Sequence, residues 1–282
     1  MKKTFGIILG IISILVLSAC TNSKASTTGA KEKNGVTVLK VAHTQNYVPY
    51  DYVNDKGESD GFEVAVLKEV DKKLKDYSFE YKPTSDEDLL IGLDSGKYDI
   101  GTKGAWVTDE RKKKFIIPEK PIGASIIGIT YRTDSQYKNF KQFSQESGKL
   151  VPISPQNAQY NVVESYNKQT SDSKIKLIPA EQFTVGDAYK WVLEGRYDAY
   201  FDIKLSFQNS VTDKKGAYHQ YADKLSYLPY KGIPTYPLLH KNATNEKFAK
   251  EYDQAIKELQ ADGTISKLSK QYFGEDVFSY VN

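Results

Sequence analysis

One short passage occurs twice in this chain, about a hundred residues apart, and constrains the fold more than any other feature. Gly96-Lys97-Tyr98-Asp99-Ile100 and Gly195-Arg196-Tyr197-Asp198-Ala199 each follow a run with helical spacing. That spacing predicts helices over 86–94 and 185–194, each closed by a glycine free to take the left-handed conformation that helix ends favour. Strands over 97–101 and 196–201 follow. A helix, a cap and a strand repeated in both halves imply two related α/β lobes. Residues 36–282 are long for one core and sufficient for two, an arrangement that leaves a ligand cleft between the lobes.

The remaining segments fit that plan. The β-branched run 36–42 (VTVLKVA) reads as the first strand. Phe62, Val66, Val70 and Leu74 recur every four residues and predict a helix over 62–74. A short strand is expected at 79–81. Two extended runs, 125–131 (SIIGITY) and 231–239 (KGIPTYPLL), are expected to cross between the lobes. Phe248, Tyr252, Ile256 and Leu259 form one stripe of a helix over 245–260. A last helix over 264–272 follows, and both are expected to return to the first lobe. The expected organisation is lobe 1 at 36–128 plus 236–282 and lobe 2 at 129–235.

The first 35 residues read as an address and a tether. Lys2 and Lys3 precede an apolar run at 5–17 that is short for a spanning helix and stops at small residues. Residues 1–19 therefore read as an export signal, with an uncleaved anchor as the alternative. Leu17-Ser18-Ala19-Cys20 resembles the lipobox of bacterial lipoproteins, in which the cysteine carries the lipid. Cys20 is the only cysteine, which excludes a disulfide framework, a zinc–thiolate site and a cysteine nucleophile in the folded body. Residues 20–35, rich in Ser, Thr, Lys and Gly, read as a flexible tether. Removing Lys2 and Lys3 from the 39 basic residues leaves 37 against 36 acidic ones, a balance that argues against a nucleic-acid partner. Nothing calls for a cofactor or a metal, and the chain is expected to act as a monomer.

Four stretches carry a resemblance to a known family. They are Tyr47-Val48-Pro49-Tyr50 followed by Gly61-Phe62-Glu63-Val64; 93–99 (LDSGKYD); Thr108-Asp109-Glu110-Arg111; and 259–274 (LQADGTISKLSKQYFG). From about Val36 onward the chain resembles the polar amino-acid solute-binding proteins of ABC importers, solute-binding family 3, with cystine-type members closest in look. The resemblance implies an α/β, two-lobed, periplasmic-binding-protein-like fold of type II, its lobes joined by two crossing strands and closed by hinge bending. It also implies a protein held on the extracellular face of the cell membrane by lipid on Cys20, passing its solute to an ABC permease of that membrane.

Candidate binding residues follow from the match. The arginine of the family's Thr-x-x-Arg motif pairs with the ligand's α-carboxylate, a role that the planar fork of Arg111 suits. Without the motif, Arg111 reads as one of a run of surface bases. Thr108 either donates to the same carboxylate or caps the helix that Asp109 begins. Gly104 and Trp106 fall where the family presents backbone N–H groups and a small hydroxyl residue. Trp106 departs from that pattern, and either contacts ligand or belongs to the core. Lys103 contributes positive charge. Tyr47 aligns with a ligand-facing position, while Tyr50 and Tyr52 either extend that aromatic wall or are core.

In lobe 2, 154–159 (SPQNAQ) leads into a helix near Ala158 whose free N–H groups suit a carboxylate and whose N-cap is Asn157. The ammonium of an amino acid needs an acid, which the family puts five residues after the position of Asp198. That place is Ile203; Asp202 arrives one residue early, on the opposite strand face unless a bulge turns it. The expected ligand is a large dipolar amino acid such as cystine, because no second acid is visible to meet a cationic side chain. Two other readings compete. Dehydratases share the fold type, but His43, His219 and His240 show no metal-ligand spacing and no nucleophile lies beside a base. A surface adhesin would leave no mark in one sequence.

Overall fold

The computed structural model describes residues 31–33, 35–155, 157–180 and 183–281. The expected signal and most of the expected tether lie outside the described residues. β1 (Lys31–Lys33) pairs antiparallel with β2 (Val36–Thr44), so part of the segment read as tether is a strand. A ladder needs only backbone N–H and C=O groups, and a Lys-Glu-Lys run supplies them at a sheet edge as well as an apolar one would.

The chain continues through β3 (Asn46–Tyr47), β4 (Asp51–Val53), β5 (Ser59–Asp60), α1 (Phe62–Lys73), β6 (Tyr77–Thr84), α2 (Asp86–Asp94), β7 (Ile100–Thr102) and α3 (Asp109–Lys114). It then runs through β8 (Gly123–Arg132), α4 (Phe140–Gln145), α5 (Ala158–Gln169), α6 (Val185–Leu193), β9 (Ala199–Ile203), α7 (Lys204–Phe207) and β10 (Leu225–Thr235). It returns with β11 (Leu238–Leu239), α8 (Ala243–Ala261) and α9 (Thr264–Phe273). In lobe 1, β6 and β7 run parallel to β2 on either side, and β11 closes the far edge antiparallel to β7. In lobe 2, β8 is central between β9 and β10, all antiparallel.

Apolar periodicity explains the cores. Phe62, Val66 and Val70 of α1 meet Phe248, Tyr252 and Ile256 of α8 over Leu39 and Val41 of β2, burying the predicted stripes. In β9, Tyr200 and Phe201 point to opposite faces, so one joins a cluster with Tyr189 and Val192 and the other a cluster with Phe140 and Ile129.

The duplicated passage does the same work in both lobes. Gly96 (φ 73°) and Gly195 (φ 71°) turn the chain after α2 and α6. Asp99 then accepts from the Lys40 N–H at 2.9 Å while its own N–H donates to the Lys40 carbonyl. Asp198 repeats this clasp on Lys149, at 2.8 Å through its carboxylate and 2.9 Å through its N–H. Each aspartate thereby locks the register of an incoming strand segment against its neighbour.

The second crossing strand differs from expectation. β10 begins at Leu225, six residues before the predicted start, and pairs with β8 almost throughout. Pro229 and Pro234 obscure its pattern, yet β10 is an edge strand, where a missing N–H is tolerated. The register shifts between Pro229 and Lys231, opposite Gly128. The end of the chain also departs from a simple return to lobe 1. A turn of 3-10 helix, Val277–Tyr280, lies on β8 and β10, where Val277 meets Ala124 and Ile126, and Glu275 forms an ion pair with Lys204 of lobe 2.

A Cβ at Gly128 would lie 2.1 Å from the Leu228 carbonyl oxygen, so only glycine fits against the irregular strand. Gly128→Ala is expected to cost about 1–3 kcal/mol of stability, read as a lower urea midpoint at unchanged slope.

Candidate functional site

The lobe 1 wall begins with two stacked rings. Tyr47 and Tyr50 lie 4.9 Å apart at 12°. Tyr50 is the inner ring: it is 3% exposed, its hydroxyl donates to the Ala124 carbonyl at 3.0 Å, and Phe273 meets it edge-on. Tyr50 is thus placed behind Tyr47, as a post against the start of the crossing strand. Tyr47 covers Gly104, whose φ of 62° and missing side chain both matter, since a Cβ there would lie 2.8 Å from the ring.

The Gly104 loop hangs on a buried acid. Glu63, in the first turn of α1, accepts from the Gly104 N–H at 3.0 Å and from the Thr235 hydroxyl at 2.8 Å. Beside it lies Asp51 of β4, which accepts from the Thr102 hydroxyl at 2.9 Å through one oxygen. Its other oxygen meets no donor among the described residues, and both side chains are fully buried. Two such carboxyls in contact need a proton between them. Burial and the Glu63 charge push Asp51 well above the usual carboxylate range; burial also raises Glu63, against the donors that hold it ionised. The residue pattern shows Glu63 on the same helix face as Val66, Leu67 and Val70, a sign of a buried acid that the motif alone does not interpret.

Arg111 and Trp106 are tied together. Thr108 is the N-cap of α3, its hydroxyl accepting from the Arg111 N–H at 3.2 Å. The Arg111 guanidinium donates through Nη1 to the Trp106 carbonyl at 2.6 Å. Burial lowers its pKa, opposed by the charges of Asp86 and Glu110, and it joins no ion pair among the described residues. Its remaining face lines a groove of about 320 Å³ with Leu90, Ile91 and Phe115. Lys103 is held away from this loop by an ion pair with Asp86. Trp106 itself reaches across and packs on the lobe 2 cluster that contains Ile127 and Phe201. Trp106 and Thr108 also line a cavity of about 480 Å³ between the lobes.

Lobe 2 presents its own polar group. Asn157 occupies the N-cap position of α5, but its side chain makes no capping hydrogen bond. Gln159, in the first turn of that helix, donates to Asp202 at 3.1 Å. Asp202 also accepts from the Tyr200 hydroxyl at 2.8 Å and the Ile203 N–H at 2.8 Å. The β8–β9 register is continuous, so no bulge turns Asp202; it shares a face with Tyr200, opposite to Phe201 and Ile203. Burial raises the pKa of the Tyr47 hydroxyl, with smaller contributions from the charges of Glu63 and Asp202. The structure therefore places Trp106 and Thr108 on the cavity between the lobes, Arg111 on a groove walled by lobe 1 residues, Tyr47 over Gly104 and Asp202 against Gln159, while Tyr50 is buried behind Tyr47 and Lys103 pairs with Asp86.

Comparison with known proteins decides the family, since the model of bacterial extracellular solute-binding proteins, family 3, matches residues 39–275. The chain belongs to this family. The L-cystine-binding protein TcyJ of Bacillus subtilis (strain 168) is 27% identical to it, with 95% of each chain covered. The L-cystine-binding protein TcyA of the same organism is 25% identical, covering 98% of this chain and 99% of the relative. The fold matches the unliganded open L-cystine solute receptor of Neisseria gonorrhoeae with a TM-score of 0.63 at 21% identity, covering 88% and 96% of the two chains. The family's two-lobed fold and the cleft between lobes agree with the architecture described above. Among the described residues no helix is long and apolar enough to cross a membrane.

The acid pair makes stability depend on pH with a defined sign. Both folded values lie above the ordinary ones, so the folded chain binds more protons than the unfolded chain between them. Their contribution is intact below the ordinary carboxylate range and is lost as pH rises through the folded values. Asp51→Asn, which keeps a donor toward Glu63, is expected to flatten the fall in urea midpoint as pH rises above the ordinary carboxylate range of about 4. An unchanged slope would remove the shared proton.

Proposed function

We propose that this protein captures a polar amino acid, cystine or a related sulfur-containing one, in its cleft and delivers it to an ABC permease in the same membrane. The observation that carries the reading is the cavity of about 480 Å³ between the lobes, walled by Trp106 and Thr108 of the loop before α3 and by the first turns of α5. In this reading Arg111 meets the α-carboxylate, with Thr108 and the Gly104 N–H alongside, and Asp202 with Gln159 meets the ammonium. Tyr47 and Trp106 flank the body of the ligand, where a sulfur makes favourable contacts with aromatic rings. The cystine-binding relatives support this choice of cargo.

A thermal-shift screen of amino acids, cystine, glutathione, sugars and organic acids tests it. A ligand at 100 times its dissociation constant adds about 2.7 kcal/mol of stability. Arg111→Ala is expected to weaken binding of the hit by roughly 10- to 100-fold, the scale of a lost charge-assisted hydrogen bond. No stabilisation by any amino acid would end the amino-acid reading.

The lipobox supports a second part of the proposal, a lipid on Cys20 with residues 1–19 removed and the following segment as tether. Labelled palmitate is expected to enter the wild-type protein and not Cys20→Ser, which should leave the membrane fraction for the medium. Membrane retention of the variant with label incorporated would refute the anchor.

A further inference from the structure

The cavity beside Trp106 is lined by neither Tyr47 nor Asp202. Its volume of about 480 Å³ falls within the roughly 300–1,000 Å³ typical of ligand pockets, so it holds more than a residual gap beside an amino-acid head. The walls come from both lobes: Trp106 and Asp109 from the loop and start of α3, Asn161 and Ser165 from one face of α5, Lys231 from β10, and Tyr236 just beyond it.

Two of these residues carry opposite charges that do not neutralise each other. Asp109 is exposed, Lys231 is half-buried with its ammonium 5.6 Å from the Tyr230 ring centroid, and neither joins an ion pair among the described residues. Asn161 and Ser165 add neutral hydrogen-bonding groups at helical spacing, both exposed toward the cavity. One acid, one base and two neutral polar side chains around an aromatic wall complement a group that bears an ammonium and a carboxylate on one carbon.

We propose that this cavity is a second-head subsite: it receives the distal α-amino-acid group of a linear ligand with such a group at each end, joined by a sulfur-containing chain. The proposal rests on the amino-acid reading above, which assigns the first head to Arg111 and Asp202. Lys231 pairs with the distal carboxylate, Asp109 with the distal ammonium, and the Trp106 ring lies along the connecting chain. Since Asp109 belongs to lobe 1 and Lys231 to lobe 2, a ligand gripping both joins the lobes at a second point.

Calorimetric titration with two-headed probes (L-cystine and L-cystathionine) and a one-headed probe (S-methyl-L-cysteine) tests the subsite on the wild-type protein, Lys231→Met and Asp109→Asn. Wild type is expected to hold the two-headed probes at least tenfold more tightly than S-methyl-L-cysteine. Each variant is expected to lose about tenfold for the two-headed probes while keeping its affinity for S-methyl-L-cysteine. Equal thermal midpoints without ligand show that the variants are folded. Two-headed affinity unchanged in both variants, or an equal loss for one-headed and two-headed probes, overturns the subsite and leaves the amino-acid reading standing. Binding of no probe by the wild type overturns both.

Discussion

Two carboxyl groups without solvent, set side by side, cannot both be charged, and much of this molecule is arranged around that constraint. The Gly104 N–H and the Thr235 hydroxyl donate to Glu63, while the second oxygen of Asp51 meets no donor among the described residues, which makes Asp51 the better place for the proton the pair needs. The three elements that meet there are the Gly104 loop, the end of a crossing strand and the small hairpin bearing the stacked tyrosines. A single buried acid therefore fixes the height of the loop relative to the hinge.

The architecture was largely legible because it depends on local rules. The glycine-capped helices and the strands after them follow from positions that tolerate left-handed backbone, and the repeated aspartate makes the same clasp in each lobe. The apolar stripes of α1 and α8 read correctly because a 3.6-residue period leaves little freedom in what they bury. What was hidden obeys non-local rules. The start of β10 is masked by Pro229, which its edge position permits, and β1 is hydrophilic because a ladder does not require apolar side chains.

The site was legible in its residue types and less so in their directions. The motif Thr108-Asp109-Glu110-Arg111 forms the start of α3, but a sequence does not tell that the arginine holds the Trp106 carbonyl or that Lys103 turns to Asp86. Strand alternation correctly put Asp202 on the face opposite to Ile203, and its link to Gln159 needed the packing of α5 to be seen. Tyr47 and Tyr50 look equivalent as letters three apart. Their stacking makes one the cleft surface and the other its backing.

The last residues of the chain have a mechanical meaning. Two neighbouring strands that cross between bodies form a strip, and a strip both bends and twists easily. The segment from Glu275 to Tyr280 grips β8, β10 and Lys204 from the side of lobe 1 and so adds a support displaced from that strip. Any bending or twisting of that strip must therefore carry or break the Glu275–Lys204 ion pair and the packing of Val277, so the chain end is tied to whatever the strip does.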